Sequence, residues 1–331
     1  MQADSHFGCG EVRLPAMEAT KDTLHVYRQN LAEARFSPLC KKLIAHRGWH
    51  RLDAHTAERP LENTRAAYLA AAGLGVSFAE CDVWNTADGE IVLSHDWNMQ
   101  RMAKDEQNPR AISPIAELQW ADLQGLELKD GSTPVLLRTV LNDLLGTQTS
   151  LIIELKSSGP AAPLATMLNS DCQLKGSVAY VMSFSLAAVE IFADALTTSD
   201  IQVLWLMDNP TIPYEEEDKN EGETTFDYGN ETLTMCLSRL GLKDRIRKLR
   251  CGLHVQLNPC LTLSHIYAWR AELATIWDLA DGEEAGIEDK LFIGLWNDGV
   301  YGSDMAATLI KWLPAVSALN TDLPATFWEG D

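Results

Sequence analysis

Glu80 and Asp82 are separated by one residue, as are Glu154 and Lys156, and each pair closes a short apolar run. Residues two apart on a strand share a face, so each pair points one way. If those faces line one mouth, three carboxylates converge beside one ammonium. Burying three like charges without a counter-ion is costly, because desolvation and mutual repulsion both oppose ionisation. An all-oxygen set with open positions suits a hard divalent cation, Mg²⁺ or Ca²⁺. Arg47 and Lys156 are cations of the kind that hold phosphate, and His46 and His95 can carry protons near neutral pH. The plain alternative makes the carboxylates salt-bridge partners of Arg47 and Lys156, and the histidines ordinary loop or core residues. Two pairs at i, i+2 with histidines close by favour the metal reading.

These residues need a scaffold that brings strand ends together. Near-continuous apolar runs read as buried strands at Leu43–His46, Ser77–Val83, Leu151–Glu154, Val178–Ser183, Ile201–Leu206, Gly252–Val255, Leu291–Leu295 and Ala315–Leu319. Helical patterns lie between them, at Thr64–Gly73, Leu136–Leu145, Ala161–Leu168, Leu186–Leu196, Glu231–Lys248, Ser264–Asp281 and Ser303–Leu313. Strands alternating with helices in this number fit a closed TIM (β/α)8 barrel, whose active site lies at the carboxyl ends of the strands. Three segments break the repeat. Residues 84–134 form a long insertion after the second strand, with an extra strand-like run at Glu90–Ser94. Residues 208–230 are acidic and follow the fifth strand, so they should emerge on the catalytic face.

The third segment, residues 1–40, is an N-terminal extension to a barrel of residues 41–331. It contains an extra amphipathic helix, about Lys21–Arg35, with Leu24, Tyr27 and Leu31 on one face. Little chain remains after the last strand for a covering helix, so this helix is expected to pack in that place. Composition sets outer limits. A formal charge of −20 works against binding nucleic acid or anionic membranes. No apolar run approaches the roughly 18 residues that would span a bilayer. The seven scattered cysteines form no CxxC pair and read as reduced thiols in a cytoplasmic protein. Cys81 lies between two proposed ligands, so alternation turns it away from them.

The ordered series Ala45-His46-Arg47-Gly48, Glu62-Asn63-Thr64, Glu80-Cys81-Asp82, Thr86-Ala87-Asp88-Gly89, Ser94-His95-Asp96 and Glu154-Leu155-Lys156 closely resembles the glycerophosphodiester phosphodiesterase family. Weaker echoes follow in Ser183-Phe184, Trp296 and Thr321-Asp322-Leu323-Pro324. The resemblance implies metal ligands at Glu80, Asp82 and Glu154, an acid/base pair at His46 and His95, and phosphate contacts at Arg47 and Lys156. It implies supporting roles for Glu62, Asn63 and Trp296. The implied reaction is metal-dependent hydrolysis of a glycerophosphodiester to glycerol 3-phosphate and an alcohol.

Two departures from the family pattern concern substrate contacts more than metal chemistry. Pro134-Val135-Leu136-Leu137-Arg138 lacks the family's glutamates, and Trp296-Asn297-Asp298 is a shortened form of its aromatic segment. The rival readings are a phospholipase D-type activity on lysophospholipids and a catalytically inactive binding barrel. Which histidine is acid and which base stays open, as does the oligomeric state. His50, His55, His254 and His265 read as ordinary histidines, and Trp49, Trp84 and Trp97 more as packing residues than as pocket contacts.

Overall fold

A computed structural model describes residues 42–50, 59–197, 201–207, 233–257, 261–278, 291–296, 312 and 315–322. Its strands are β1 (Leu43–Ala45), β2 (Phe78–Asn85), β3 (Ile91–Leu93), β4 (Ser150–Leu155), β5 (Val178–Ser183), β6 (Gln202–Met207), β7 (Gly252–Gln256), β8 (Ile293–Trp296) and β9 (Ala318–Thr321). They pair in the order β1-β9-β8-β7-β6-β5-β4-β2-β3, and β1 pairs β2 as well. That extra pairing closes eight parallel strands into a barrel; β3 alone is antiparallel, against β2. The principal helices are α1 (Arg65–Leu74), α2 (Leu137–Leu144), α3 (Ala161–Ser170), α4 (Leu186–Ala195), α5 (Leu233–Arg239), α6 (Lys243–Leu249) and α7 (Leu263–Ile276). This is the TIM barrel expected from the sequence, with its insertion after the second strand.

Alternation along each strand sorts the side chains into two cores. Ala79, Cys81 and Val83 of β2, and Leu151, Ile153 and Leu155 of β4, join the outer core under the helices. The intervening residues turn inward, where Ile44, Ile152, Met182, Leu204, Leu206 and Phe292 fill the barrel. Glu80, Asp82 and Glu154 share that inward phase, so the strand that buries Cys81 outside must present both acids inside. The register sets Asp82 directly beside Glu154.

Helix ends follow local chemistry. Thr64 caps α1 by accepting from the Ala67 N–H, and Gly75 ends it at φ 79° with its N–H on the Ala72 carbonyl. The single helix expected over Glu231–Lys248 is instead two, α5 and α6. Gly241 adopts φ 67°, its N–H reaches the Ser238 carbonyl at 3.1 Å, and the Leu242 N–H reaches that of Leu237 at 2.8 Å. These paired bonds close α5 as a Schellman turn, which overrides apolar periodicity that runs on through the break. The last strand also begins later than its apolar run. Ala315 and Val316 pack in the outer core ahead of it, and the polar Asn320 and Thr321 complete it.

The insertion has a core of its own, built from Val92, Met99, Ala103, Ala111, Ile115 and Leu123. It is tied back to the barrel by the β2–β3 pairing and by the Leu93 N–H on the Val135 carbonyl. The expected helix Lys21–Arg35, the acidic stretch 208–230 and nearly all of Ser303–Leu313 lie outside the described residues. Among the described residues, no helix is long and apolar enough to cross a membrane.

Candidate active site

The carboxyl ends of β1, β2, β4 and β9 bring the chemically active side chains together. Glu80, Asp82 and Glu154 each offer a carboxylate oxygen, and these oxygens lie within 4.8 Å of one another. Glu80 and Asp82 are both 1% exposed. Lys156 Nζ stands 2.8 Å from Glu154 Oε1 and 3.4 Å from Asp82 Oδ1. The longer contact is an ion pair without hydrogen-bond geometry, so among the described residues Asp82 Oδ1 has no hydrogen-bond partner, and neither does Glu80 Oε1. Buried carboxylate oxygens left in this state are rare, because desolvation is then uncompensated. Burial, reinforced by the charge of Asp82, pushes the Glu80 carboxyl up. Asp82 shares that burial, but Lys156 and Arg47 outweigh it and hold its carboxyl well below the usual range. An all-oxygen donor set with two orphaned buried atoms fits a hard divalent cation.

The turn after β1 supplies the next layer. Arg47 has φ 50° and Gly48 φ 79°. A Cβ on Gly48 would stand 2.8 Å from the Ala67 backbone, so only glycine allows the chain this close to α1. That turn aims the Arg47 N–H at Glu80 Oε2, at 3.0 Å. The Arg47 guanidinium reaches Glu62 Oε1 and Asp82 Oδ2, both at 3.3 Å. Asn63, itself at φ 53°, donates from Nδ2 to Asp82 Oδ2 at 2.8 Å. Its Oδ1 accepts from the Tyr68 hydroxyl at 2.6 Å, which fixes the amide orientation.

His46 Nδ1 lies 2.5 Å from Asp322 Oδ1, and its Nε2 lies 3.9 Å from Glu80 Oε2. Burial works against a charged ring here. The Asp322 hydrogen bond and the nearby carboxylates more than offset it and raise the His46 pKa to about 9. His50, within 3.9 Å of the same aspartate, is driven down to about 4 by burial.

The insertion contributes His95, whose Nδ1 lies 2.8 Å from Asp96 Oδ1. Arg101 binds Asp96 Oδ2 through Nε at 2.7 Å and Glu62 Oε1 through Nη2 at 2.6 Å. A chain of charge therefore runs from His95 through Asp96, Arg101 and Glu62 to Arg47. Trp296 stands apart from this polar arc. It is buried at the end of β8, edge-to-face with Phe184 at 5.5 Å, beside the apolar barrel interior. Trp49 and Trp84 pack against cores, as their types suggested, whereas Trp97 is 53% exposed.

All the sequence-derived candidates other than His95 and Trp296 thus meet through direct contacts, and His95 joins them through two intermediaries. Sequence reasoning quoted Asp322 only as an echo of a motif and overlooked Arg101 and Tyr68. Asp322, next to the buried polar Thr321 at a strand's carboxyl end, carried a usable signal; Arg101 carried none.

A carboxylate triad flanked by Arg47 and Lys156 sits at the mouth of a (β/α)8 barrel, a donor set with the charges to take a cation and a phosphate ester. Residues 46–233 match the Glycerophosphoryl diester phosphodiesterase family, and the chain, more than half of it within the match, belongs to that family. Curated protein sequences give no significant match. Solved structures share the fold at low identity. A glycerophosphodiester phosphodiesterase from Thermotoga maritima superposes with a TM-score of 0.55 at 18% identity, over 87% of this chain and 96% of that one. One from Parabacteroides distasonis gives 0.52 at 20% identity, over 87% and 95%. A phosphodiesterase from Oleispira antarctica, solved with the product sn-glycerol-3-phosphate, gives 0.55 at 19%, over 86% and 94%.

Proposed function

We propose that this protein hydrolyses glycerophosphodiesters to glycerol 3-phosphate and an alcohol, using Mg²⁺ or Ca²⁺ held by Glu80, Asp82 and Glu154. The supporting observation is the pair of buried oxygens within the carboxylate triad, Glu80 Oε1 and Asp82 Oδ1, that find no hydrogen-bond partner among the described residues. The product bound to the Oleispira antarctica relative is consistent with this substrate class.

A cation bound there would neutralise phosphate oxygens and stabilise charge that develops in the transition state. Arg47 and Lys156 add fixed positive charge on the same side and hold the phosphate in place. Asp322 anchors Nδ1 of His46, leaving Nε2 beside the carboxylates. A cation at the carboxylates would offset the negative charge that keeps the His46 ring protonated in its absence, and the neutral ring is then placed to take a proton from the attacking oxygen, which is water or the substrate's own glycerol hydroxyl. His95, anchored at Nδ1 by Asp96, gives a proton to the departing alcohol. Glu62 and Asn63 keep Arg47 and Asp82 in position, and Trp296, edge-to-face with Phe184, lends apolar support from the barrel interior.

Incubation with glycerophosphocholine tests the reading directly, with release of glycerol 3-phosphate as the readout. Product should form with Mg²⁺ or Ca²⁺, stop in EDTA, and resume when the cation is restored. Undiminished release in EDTA removes the metal from the mechanism, and no release under any condition removes the substrate.

A further inference from the structure

We propose that Arg101 is a positioning residue for the leaving-group acid, holding the Asp96 carboxylate that orients His95 and tying that pair through Glu62 to Arg47. The inference rests on the reading of His95 as the proton donor. Arg101 sits in the insertion, six residues beyond His95. Its guanidinium bridges two carboxylates on separate parts of the chain, Asp96 at 2.7 Å and Glu62 at 2.6 Å. The far oxygen of Asp96 is the one that meets His95 Nδ1, at 2.8 Å. Glu62 Oε1, which Arg101 binds, is also the oxygen 3.3 Å from Arg47. A planar, forked cation can fix both carboxylates at once, whereas the point charge of a lysine cannot.

Exposure separates this role from a merely structural one. The Arg101 side chain is 46% exposed, against 13% for Glu62 and 27% for Asp96, and ion pairs with one partner this open to water contribute modestly to stability. Its loss should therefore disturb the direction of the His95 ring more than the fold. As the P–O bond to the alcohol breaks, its electron pair passes to the alcohol oxygen, which needs the His95 proton. A p-nitrophenolate leaves without one.

The experiment compares wild type, Arg101→Gln, Arg101→Lys and His95→Ala on two substrates, glycerophosphocholine and the p-nitrophenyl ester of glycerol 3-phosphate. Arg101→Gln should lower kcat on the choline ester by about 10²-fold, the scale of a misplaced catalytic group. It should spare the aryl ester, as His95→Ala should, with Arg101→Lys intermediate and the melting temperature little changed. Equal losses on both esters in Arg101→Gln, beside a selective His95→Ala, would overturn the assignment, and so would unchanged turnover. Equal losses in His95→Ala would instead remove the proton-donor reading and this inference with it. Should Arg101→Gln not fold, Asp96→Asn cuts the same link and must show the same substrate selectivity.

Discussion

His46 and Asp322 lie 276 positions apart in the chain, and closure of the barrel brings His46 Nδ1 to 2.5 Å from Asp322 Oδ1. The neighbouring backbone repeats the connection, with the His46 N–H on the Thr321 carbonyl at 3.1 Å. Strands β1 and β9 pair here, so the seam that closes the fold also assembles a histidine–carboxylate dyad.

If the dyad acts as one unit, its members should not contribute additively. His46→Ala and His95→Ala should each lower turnover on the order of 10²–10⁴-fold. Asp322→Asn should fall short of the His46→Ala loss, and the His46→Ala, Asp322→Asn double variant should be no worse than His46→Ala alone. Steady-state kinetics on glycerophosphocholine gives all four values. Multiplicative losses in the double variant would mean that Asp322 acts elsewhere.

The carboxylates make a second set of expectations. Glu80→Gln, Asp82→Asn and Glu154→Gln should each weaken calorimetric binding of Ca²⁺ and Mg²⁺ and abolish most turnover. Asp82→Asn should do the widest damage, because Asp82 also faces Arg47, Lys156 and Asn63. Unchanged affinity in all three variants would refute the site.

Much of this site was legible because its residues sit at strand ends, where period-two alternation fixes direction. Glu80, Cys81 and Asp82 illustrate the point: knowing that Cys81 must be buried outside is enough to turn both acids inward. The eight strands were legible for the same reason, as apolar runs. Where burial is polar, the signal fails. The final strand extends through Asn320 and Thr321, which no hydrophobic pattern includes. Periodicity also cannot see a break such as Gly241, where backbone conformation decides. Arg101 was invisible because its meaning comes from a contact with Glu62 across 39 positions, set by how the insertion folds back.

Gly48 carries a prediction about backbone alone. Gly48→Ala would place a methyl 2.8 Å from Ala67 in a conformation at φ 79° that side chains rarely adopt. Such strain costs on the order of 1–3 kcal/mol. The turn would relax by moving Arg47 and His46, so turnover should fall together with the melting temperature. A variant with wild-type melting and kinetics would show that the turn is not under this constraint.

The last prediction links pH, cation and stability. In cation-free protein, Glu80 and His46 both hold a proton more tightly when folded than when unfolded. For Glu80 the causes are burial and then Asp82. For His46, burial opposes the proton, but the Asp322 hydrogen bond and the carboxylates around it win and raise the value to about 9. A group with a raised folded pKa contributes stability that is lost as pH climbs through that value. His50 and His254, held near 4 by burial, act in the opposite sense, but only below their ordinary value of 6.5. Between pH 6.5 and 8.5 the raised groups therefore dominate, and the melting temperature in EDTA should drop by a few degrees. Millimolar Ca²⁺ supplies the charge that the protons otherwise provide, so the decline should flatten and the melting temperature should rise most at pH 8.5. Thermal melts at the two pH values, each with EDTA and with Ca²⁺, decide the matter. Slopes identical with and without the cation would show that the carboxylate cluster does not bind it, and a melting temperature that rises with pH in EDTA would show that Glu80 and His46 do not hold their protons more tightly in the folded state.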